Sequence, residues 1–301
     1  MDFNITTYKK LLSTLVEQGY SFLSLEKFVF DSVGKIIILR HDVDALPENS
    51  LQFARIQAGK GIRGSYYFRI VPESFDEEVI KEIAGLGHEI GYHYETMDTA
   101  CKKIKDRNKN TKVIDYDLLI DSAYEEFCRN LEIFRKIVPV ITICMHGSPL
   151  SRYDNRAIWM KSDYKKLGII AEPYFDVNFA EVYYLTDTGR RWDGGEISIR
   201  DKGLGIRDRE QGVEFYKDWM VKPESGSLMN MTQQSFNFQS KYKLSSTSEI
   251  IRAAEKEELP DKIMMTFHPQ RWTDKPIPWM KELIWQNVKN VGKYFLVKMR
   301  E

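Results

Sequence analysis

The stretch IIILRHDVD, residues 36–44, decides the predicted fold of this chain. Four successive aliphatic residues predict a strand over residues 35–39 that is buried on both faces, as are strands of a parallel sheet covered by helices. Arg40, His41 and two aspartates follow this strand without a break. Ionisable residues directly after a buried strand are typical of the carboxyl edge of a parallel barrel, where active sites lie.

Helices and strands alternate on both sides of this stretch. Ser74 followed by Glu77 matches a capping box and predicts a helix start there, and Gly87 predicts its end. Apolar periodicity predicts further helices at residues 8–16, 49–58, 120–134 and 280–295. Apolar or alternating runs predict further strands at residues 64–70, 88–94, 140–145, 168–171, 182–185, 197–200 and 263–267.

This alternation predicts an α/β fold with one domain spanning residues 1–301. Seven or eight strands with helices between them suit a distorted (β/α)7–8 barrel better than a small doubly wound sheet. The stretch from about 203 to 246 interrupts the alternation and is rich in Ser, Gln, Asn and Lys. It predicts a loop insertion over one mouth of the barrel.

Composition and charge exclude several classes of function. Lys plus Arg equals Asp plus Glu at 44 each, so the chain lacks the net field that nucleic acid or an anionic membrane would require. No apolar run is long enough to span a bilayer, and the first residues do not resemble a signal peptide. The three cysteines lack CxxC spacing, which indicates buried reduced thiols. We expect a cytoplasmic protein without membrane insertion or a nucleic-acid partner; the sequence leaves its oligomeric state open.

The placement of the five histidines is the sharpest signal of a site. His41, His146 and His268 each follow an apolar strand, and His88 and His93 bracket the strand EIGY. One such histidine alone would most simply be a hydrogen-bonded structural side chain. As a set, they predict convergence at one mouth of a parallel barrel.

Carboxylates accompany these histidines. Asp42 and Asp44 alternate along an extended backbone, so both can point into one pocket and either bind a cation or raise the pKa of one of them. The alternative is a turn or a helix cap formed by the same pair. His93 and Glu95 form a second alternating pair, and imidazole with carboxylate is a ligand set for a catalytic Zn²⁺.

HDVD at 41–44 and GHEIGYH at 87–93 resemble two motifs of the polysaccharide deacetylases, the NodB homology family that includes carbohydrate esterase family 4. The resemblance covers about residues 35–98, with weaker agreement to about residue 272. It implies a barrel of the glycoside hydrolase/deacetylase type, and one divalent metal ion, with zinc expected and Co, Ni, Mn or Fe as alternatives. It also implies hydrolysis of an acetyl–nitrogen amide bond in an amino sugar or glycan precursor.

Matching positions carry the family's roles to this chain. The resemblance implies Asp42 as general base, Asp44 and His93 as metal ligands, and His268 as general acid. The family's second histidine ligand falls on Met97, so another residue must complete the site. The candidates are Glu95, Asp98 and His146, of which we favour His146 because it ends a strand on the same rim.

The remaining expectations concern the substrate. The family's third motif is replaced by HGSP at 146–149. The segment around Asp187, Arg190 and Trp192 resembles the wall of the family's substrate groove, and Arg271 and Trp272 are further candidates, as is Glu95; barrel packing is the alternative for the aromatic residues. Two other functions stay open: hydrolysis of a non-sugar or cyclic amide, and metal-free carbohydrate binding without catalysis.

Overall fold

The computed structural model describes residues 2–107, 114–147, 153–192, 239 and 241–298, and only the backbone of 289–298. The strands are β1 Ser21–Leu23, β2 Ile36–Val43, β3 Ser65–Phe68, β4 Glu89–Tyr94, β5 Ile143–Met145, β6 Tyr183–Thr186 and β7 Lys262–Phe267. The helices are α1 Ile5–Glu17, α2 Leu25–Phe30, α3 Pro47–Ala58, α4 Glu77–Gly85, α5 Thr96–Arg107, α6 Tyr116–Arg135, α7 Pro173–Asp176, α8 Thr247–Glu255 and α9 Pro276–Lys298. Short 3-10 helices lie at Asn155–Met160, Tyr164–Leu167, Thr188–Arg190 and Pro269–Arg271.

All pairings between these strands are parallel, in the order β5-β4-β3-β2-β7-β6. The short strand β1 pairs with the first half of β2, on residues Ile36 to Ile38, and β3 pairs with the second half. The sheet curls into a half-barrel flanked by helices, so the α/β class is confirmed. No pairing between β5 and β6 closes a ring within the described residues.

Alternation along each strand sorts the side chains onto two faces. One face packs against α1, α3, α4, α6 and α8 in the larger core cluster, which includes Ile37, Leu39 and Val43 of β2. The opposite face, called the inner face here, carries a smaller apolar cluster that includes Ile36 and Ile38. All eight residues of β2 are buried, as the unbroken aliphatic run predicts for a strand covered on both sides.

Two local expectations are corrected. The start of α4 is capped by Asp76, whose side chain accepts from the N–H groups of Glu78 and Val79. Ser74 instead donates to the carbonyl of Val43 and accepts from a backbone N–H in the loop after β3, so the predicted capping box is wrong. The run at 168–171 forms only an isolated parallel bridge, Thr142 to Ala171, rather than a strand.

Two predictions fall outside the described residues, and two short elements of the structure were not predicted. The predicted strand at 197–200 and most of the predicted insertion at 203–246 lie outside the described residues. β1 and α2 were not predicted, because a three-residue strand and a six-residue helix are too short for a periodic pattern. No helix in the described part of the chain has the length and apolar character needed to cross a membrane.

Candidate metal centre

The candidate site lies on the inner face, at the carboxyl ends of the strands. The alternation that buries Ile36 and Ile38 on this face also places Arg40 and Asp42 there. In β4 the larger core takes Ile90, Tyr92 and Tyr94, which leaves His93 for the inner face. The sheet therefore brings residues from separate parts of the chain to one place.

Asp44, His93 and His146 form the central group. One ligand atom from each lies within 4.8 Å of the others, so the three side chains could hold a metal ion. Asp44 Oδ1 is 3.8 Å from His93 Nε2 and 3.5 Å from His146 Nε2. This oxygen is buried and accepts no hydrogen bond from any described residue. A buried acceptor without a donor, facing two imidazole nitrogens, fits a bound cation.

His93 is oriented by its other ring nitrogen. Its Nδ1 is 2.9 Å from the carbonyl oxygen of Cys144, and because a carbonyl only accepts, Nδ1 carries the proton. Burial lowers the pKa of His93 to about 4, although Asp42 and Asp44 act in the opposite direction. The imidazole is therefore neutral at pH 7, with the Nε2 lone pair free for a metal.

His146 lies between two carboxylates. Its Nδ1 is 2.9 Å from Glu95 Oε2, and its Nε2 faces Asp44. Glu95 also forms an ion pair with Arg69, at 2.8 Å. Burial alone would raise the pKa of Glu95, but His146 and Arg69 outweigh that effect and lower it.

Asp42 is held by its neighbour on the same face of β2. Arg40 donates from Nε to one carboxylate oxygen at 2.7 Å and from its terminal nitrogen to the other at 2.6 Å. Burial alone would raise the pKa of Asp42, but Arg40 and His93 hold it well below its ordinary value. Asp42 therefore remains ionised, with Oδ2 3.7 Å from His93 Nε2. A second ligand group, fully buried, consists of Asp42, His93 and Cys144.

His268 enters the site from β7 and is anchored by Asp187. Its Nδ1 is 2.5 Å from Asp187 Oδ1, and its Nε2 is 3.8 Å from Asp44 Oδ2. Asp187 also accepts from the His268 backbone N–H, the Trp272 indole N–H and Arg271 Nη1. Burial alone would raise the pKa of Asp187, but His268 and Arg271 outweigh that effect and lower it.

Three residues expected in the substrate groove make their described contacts within the protein. Trp192 is 1% exposed and donates to Thr247, and Trp272 is fully buried with its indole N–H on Asp187, so both belong to the core. The Arg190 guanidinium lies between the rings of Phe3 and Trp279. The burial of Trp192 and Trp272 agrees with the packing alternative for the aromatic residues, and substrate contact by the three residues stays a prediction. Asp187 and Arg271 lie at the site, but their contacts hold His268.

His41 is also not part of the site. It occupies the opposite face of β2, stacked on Tyr66, with Nδ1 donating to the Ser65 carbonyl and Nε2 bonded to Gln57. One step along a strand reverses the face, so His41 points into the helical layer while Asp42 points inward. His88 likewise bonds to backbone groups, Gly64 N–H and Ala54 O, as a structural histidine.

Met97 is fully buried in the core at the start of α5, so it offers no ligand to the site. Asp98, another candidate for the missing metal ligand, accepts a hydrogen bond from the Asn155 side chain.

Sequence reasoning missed Arg40, Arg69 and Cys144, which support Asp42, Glu95 and His93 respectively. Alternation along β2 and β5 carried the signal for Arg40 and Cys144, since each lies two residues from a predicted site residue.

Comparison of the chain with protein-family models, with curated proteins and with solved structures found no match. The fold and the site define a helix-flanked parallel α/β protein with a partly buried group of histidine and carboxylate side chains that could hold a metal ion.

Proposed function

We propose that this protein is a metal-dependent hydrolase that removes an acetyl group from the nitrogen of an amino sugar or glycan precursor. The observation that carries the proposal is the convergence of Asp44, His93 and His146 beside a histidine anchored by a carboxylate, His268. The substrate class comes from the resemblance of residues 41–44 and 87–93 to polysaccharide deacetylases.

The donor set favours zinc. Two imidazoles and one carboxylate are the ligands of catalytic zinc sites that keep one position open, and Co, Ni, Mn or Fe could use the same set. A bound divalent ion would polarise the amide carbonyl and lower the pKa of a water molecule. The unpaired Oδ1 of Asp44 and the free Nε2 of His93 support this assignment.

Two further side chains would move protons. Asp42 is ionised and lies beside His93, in position to accept a proton from the attacking water. Asp187 accepts the proton of His268 Nδ1 and leaves Nε2 facing the site. In the doubly protonated form of His268, Nε2–H would donate its proton to the departing amine. Arg40 keeps Asp42 oriented by binding both of its oxygens.

The proposal is tested by separating metal binding from turnover. The protein would be stripped with a chelator, titrated with Zn²⁺ and assayed for acetate release from N-acetylated amino sugars, with cyclic amides in parallel. We expect one zinc per chain. Asp44→Asn should lose both metal and turnover, whereas Asp42→Asn should keep the metal and lose about a hundredfold to ten-thousandfold in kcat.

Each other outcome changes a specific assignment. Equal loss of metal and turnover in Asp42→Asn would make Asp42 a ligand, through the group it forms with His93 and Cys144. Activity on cyclic amides alone would replace the sugar substrate. A wild-type protein that binds glycans but no stoichiometric metal would contradict the hydrolase and support the binding function.

A further inference from the structure

The backbone and the ring of the candidate ligand His146 are held by different parts of the protein. It follows the last residue of β5, where its backbone N–H donates to Tyr94 O at 2.8 Å and its carbonyl accepts from Asn155. These bonds fix the backbone of His146 but leave its ring free to turn about two side-chain torsions. The Nδ1 atom of the ring lies 2.9 Å from Glu95 Oε2, a close ionic contact rather than an aligned hydrogen bond.

Glu95 is itself held in place by one guanidinium. Arg69 donates from Nε to Glu95 Oε1 at 3.1 Å, and its terminal nitrogen reaches both carboxylate oxygens at 2.8 and 2.9 Å. The other terminal nitrogen of Arg69 donates to the carbonyl of Asp44 at 3.2 Å. Arg69 therefore ties the carboxylate that supports His146 to the backbone of a second ligand.

We propose that the Arg69–Glu95 pair is a positioning unit that makes His146 a metal ligand in place of the histidine missing at Met97. The inference rests on the proposed metal site. It assigns Glu95 a role behind the ligand, through His146 Nδ1, rather than in substrate contact. A carboxylate on the second nitrogen of a ligating histidine fixes the ring and increases its basicity.

The surroundings of the pair fit this role. The side chains of Arg69 and Glu95 are 20% and 14% exposed, so water screens their contact weakly. The chain offers a matched control in Arg55 and Glu82, which form the same type of pair at 2.6 Å but with side chains 58% and 47% exposed. The control pair joins α3 to α4 on the outside of the protein.

The experiment measures zinc affinity by competition with a chromophoric chelator, in the full-length protein. Glu95→Gln keeps the size of the side chain but removes the charge, and we expect zinc to bind 10- to 100-fold more weakly. Arg69→Met should show a similar loss, and Arg69→Lys a smaller one, because lysine keeps the charge but not the two-pronged contact. The control Glu82→Gln should stay within twofold of wild type.

Absorption of the Co²⁺-substituted protein reports on ligand geometry independently of activity. Glu95→Gln should change the visible bands of bound Co²⁺, whereas Glu82→Gln should leave them unchanged. Unfolding of the metal-free variants would be followed in parallel, and if Glu95→Gln does not fold, Arg69→Lys provides the same comparison. Zinc affinity and Co²⁺ bands equal to wild type in the Glu95 and Arg69 variants would overturn the positioning role. Failure of the wild type to bind zinc would instead overturn the metal site itself.

Discussion

At the scale of single residues, Asp187 shows how one buried carboxylate organises a site. It receives hydrogen bonds from the backbone N–H and Nδ1 of His268, from the indole of Trp272 and from Arg271. A buried carboxylate with this many donors stays ionised, because hydrogen bonds to the charged form offset the cost of burial. Asp187 therefore determines which nitrogen of His268 faces the site.

We expect Asp187→Asn to lower kcat by about a hundredfold or more, because an amide can stabilise the other tautomer of His268. Zinc content should remain at the wild-type level, since Asp187 contributes no ligand atom to the Asp44, His93 and His146 group. The measurement pairs turnover with metal analysis and an unfolding curve. Loss of zinc in proportion to activity would contradict a role confined to His268.

At the scale of elements, β4 shows why the motif at 87–93 contains a second glycine inside its strand. A Cβ built on Gly91 would overlap the ring of Tyr67 on β3 and would lie 3.0 Å from the carbonyl of Thr142. The phenol of Tyr67 is hydrogen bonded to the Thr142 side chain, so the ring cannot move away freely. Gly91 thus allows β3 and β4 to carry an aromatic side chain beneath the candidate site.

We expect Gly91→Ala to destabilise the protein by about 1–3 kcal/mol, the usual cost of forcing an extra methyl group into a packed interior. The matched control is Gly85→Ala at the end of α4, where a Cβ would meet nothing within 4 Å. Alanine there should be neutral or slightly stabilising. Urea unfolding of both variants provides the measurement, and equal midpoints would show that Tyr67 yields without cost.

At the scale of the whole molecule, two histidines are buried in the layer between the sheet and the helices. Burial lowers the pKa of His41 to about 3 and that of His88 to about 4, and the nearby Arg63 lowers the latter further. In the unfolded chain both would titrate near 6.5. Between pH 6.5 and about 4 these two histidines therefore bind more protons in the unfolded state than in the folded state, so their contribution to stability falls as the pH falls.

We expect His41 and His88 each to lower the stability of the metal-free protein by up to about 1.4 kcal/mol per pH unit as the pH falls through this range, whereas Glu172, whose pKa burial raises to about 7, acts in the opposite direction. His88→Gln should flatten the profile by one such contribution, because glutamine can still bond to Gly64 N–H and Ala54 O but does not titrate. The difference between the two profiles would be measured from urea unfolding midpoints of wild type and variant between pH 7 and 4.5 in the presence of a chelator. An unchanged slope in the variant would mean that His88 is protonated in the folded protein.

The central strand and the candidate site could be predicted because they follow from local sequence patterns. The aliphatic run at 36–39 predicted a strand covered on both faces, and the alternation of Asp42 with Asp44 and of His93 with Glu95 predicted a carboxylate and histidine site. These inferences use only neighbouring residues and the two-residue period of a strand. The burial of Trp192 and Trp272 could not be predicted, because local patterns do not distinguish an aromatic residue that lines a groove from one in the core.

The tertiary structure alone decided which residues meet. The sequence determined that the buried strand ends in HDVD and that His93, His146 and His268 lie at or just after the ends of their strands. Strand order then placed β7 beside β2 and β5 beside β4, so that His268 faces Asp44 and His146 lies against Glu95. Pairing between strands depends on packing among residues distant in the chain, and one step of register changes the face of every side chain. For that reason the sequence could name Asp44 and His93, but only the fold brought Arg69, Glu95 and His146 together behind them.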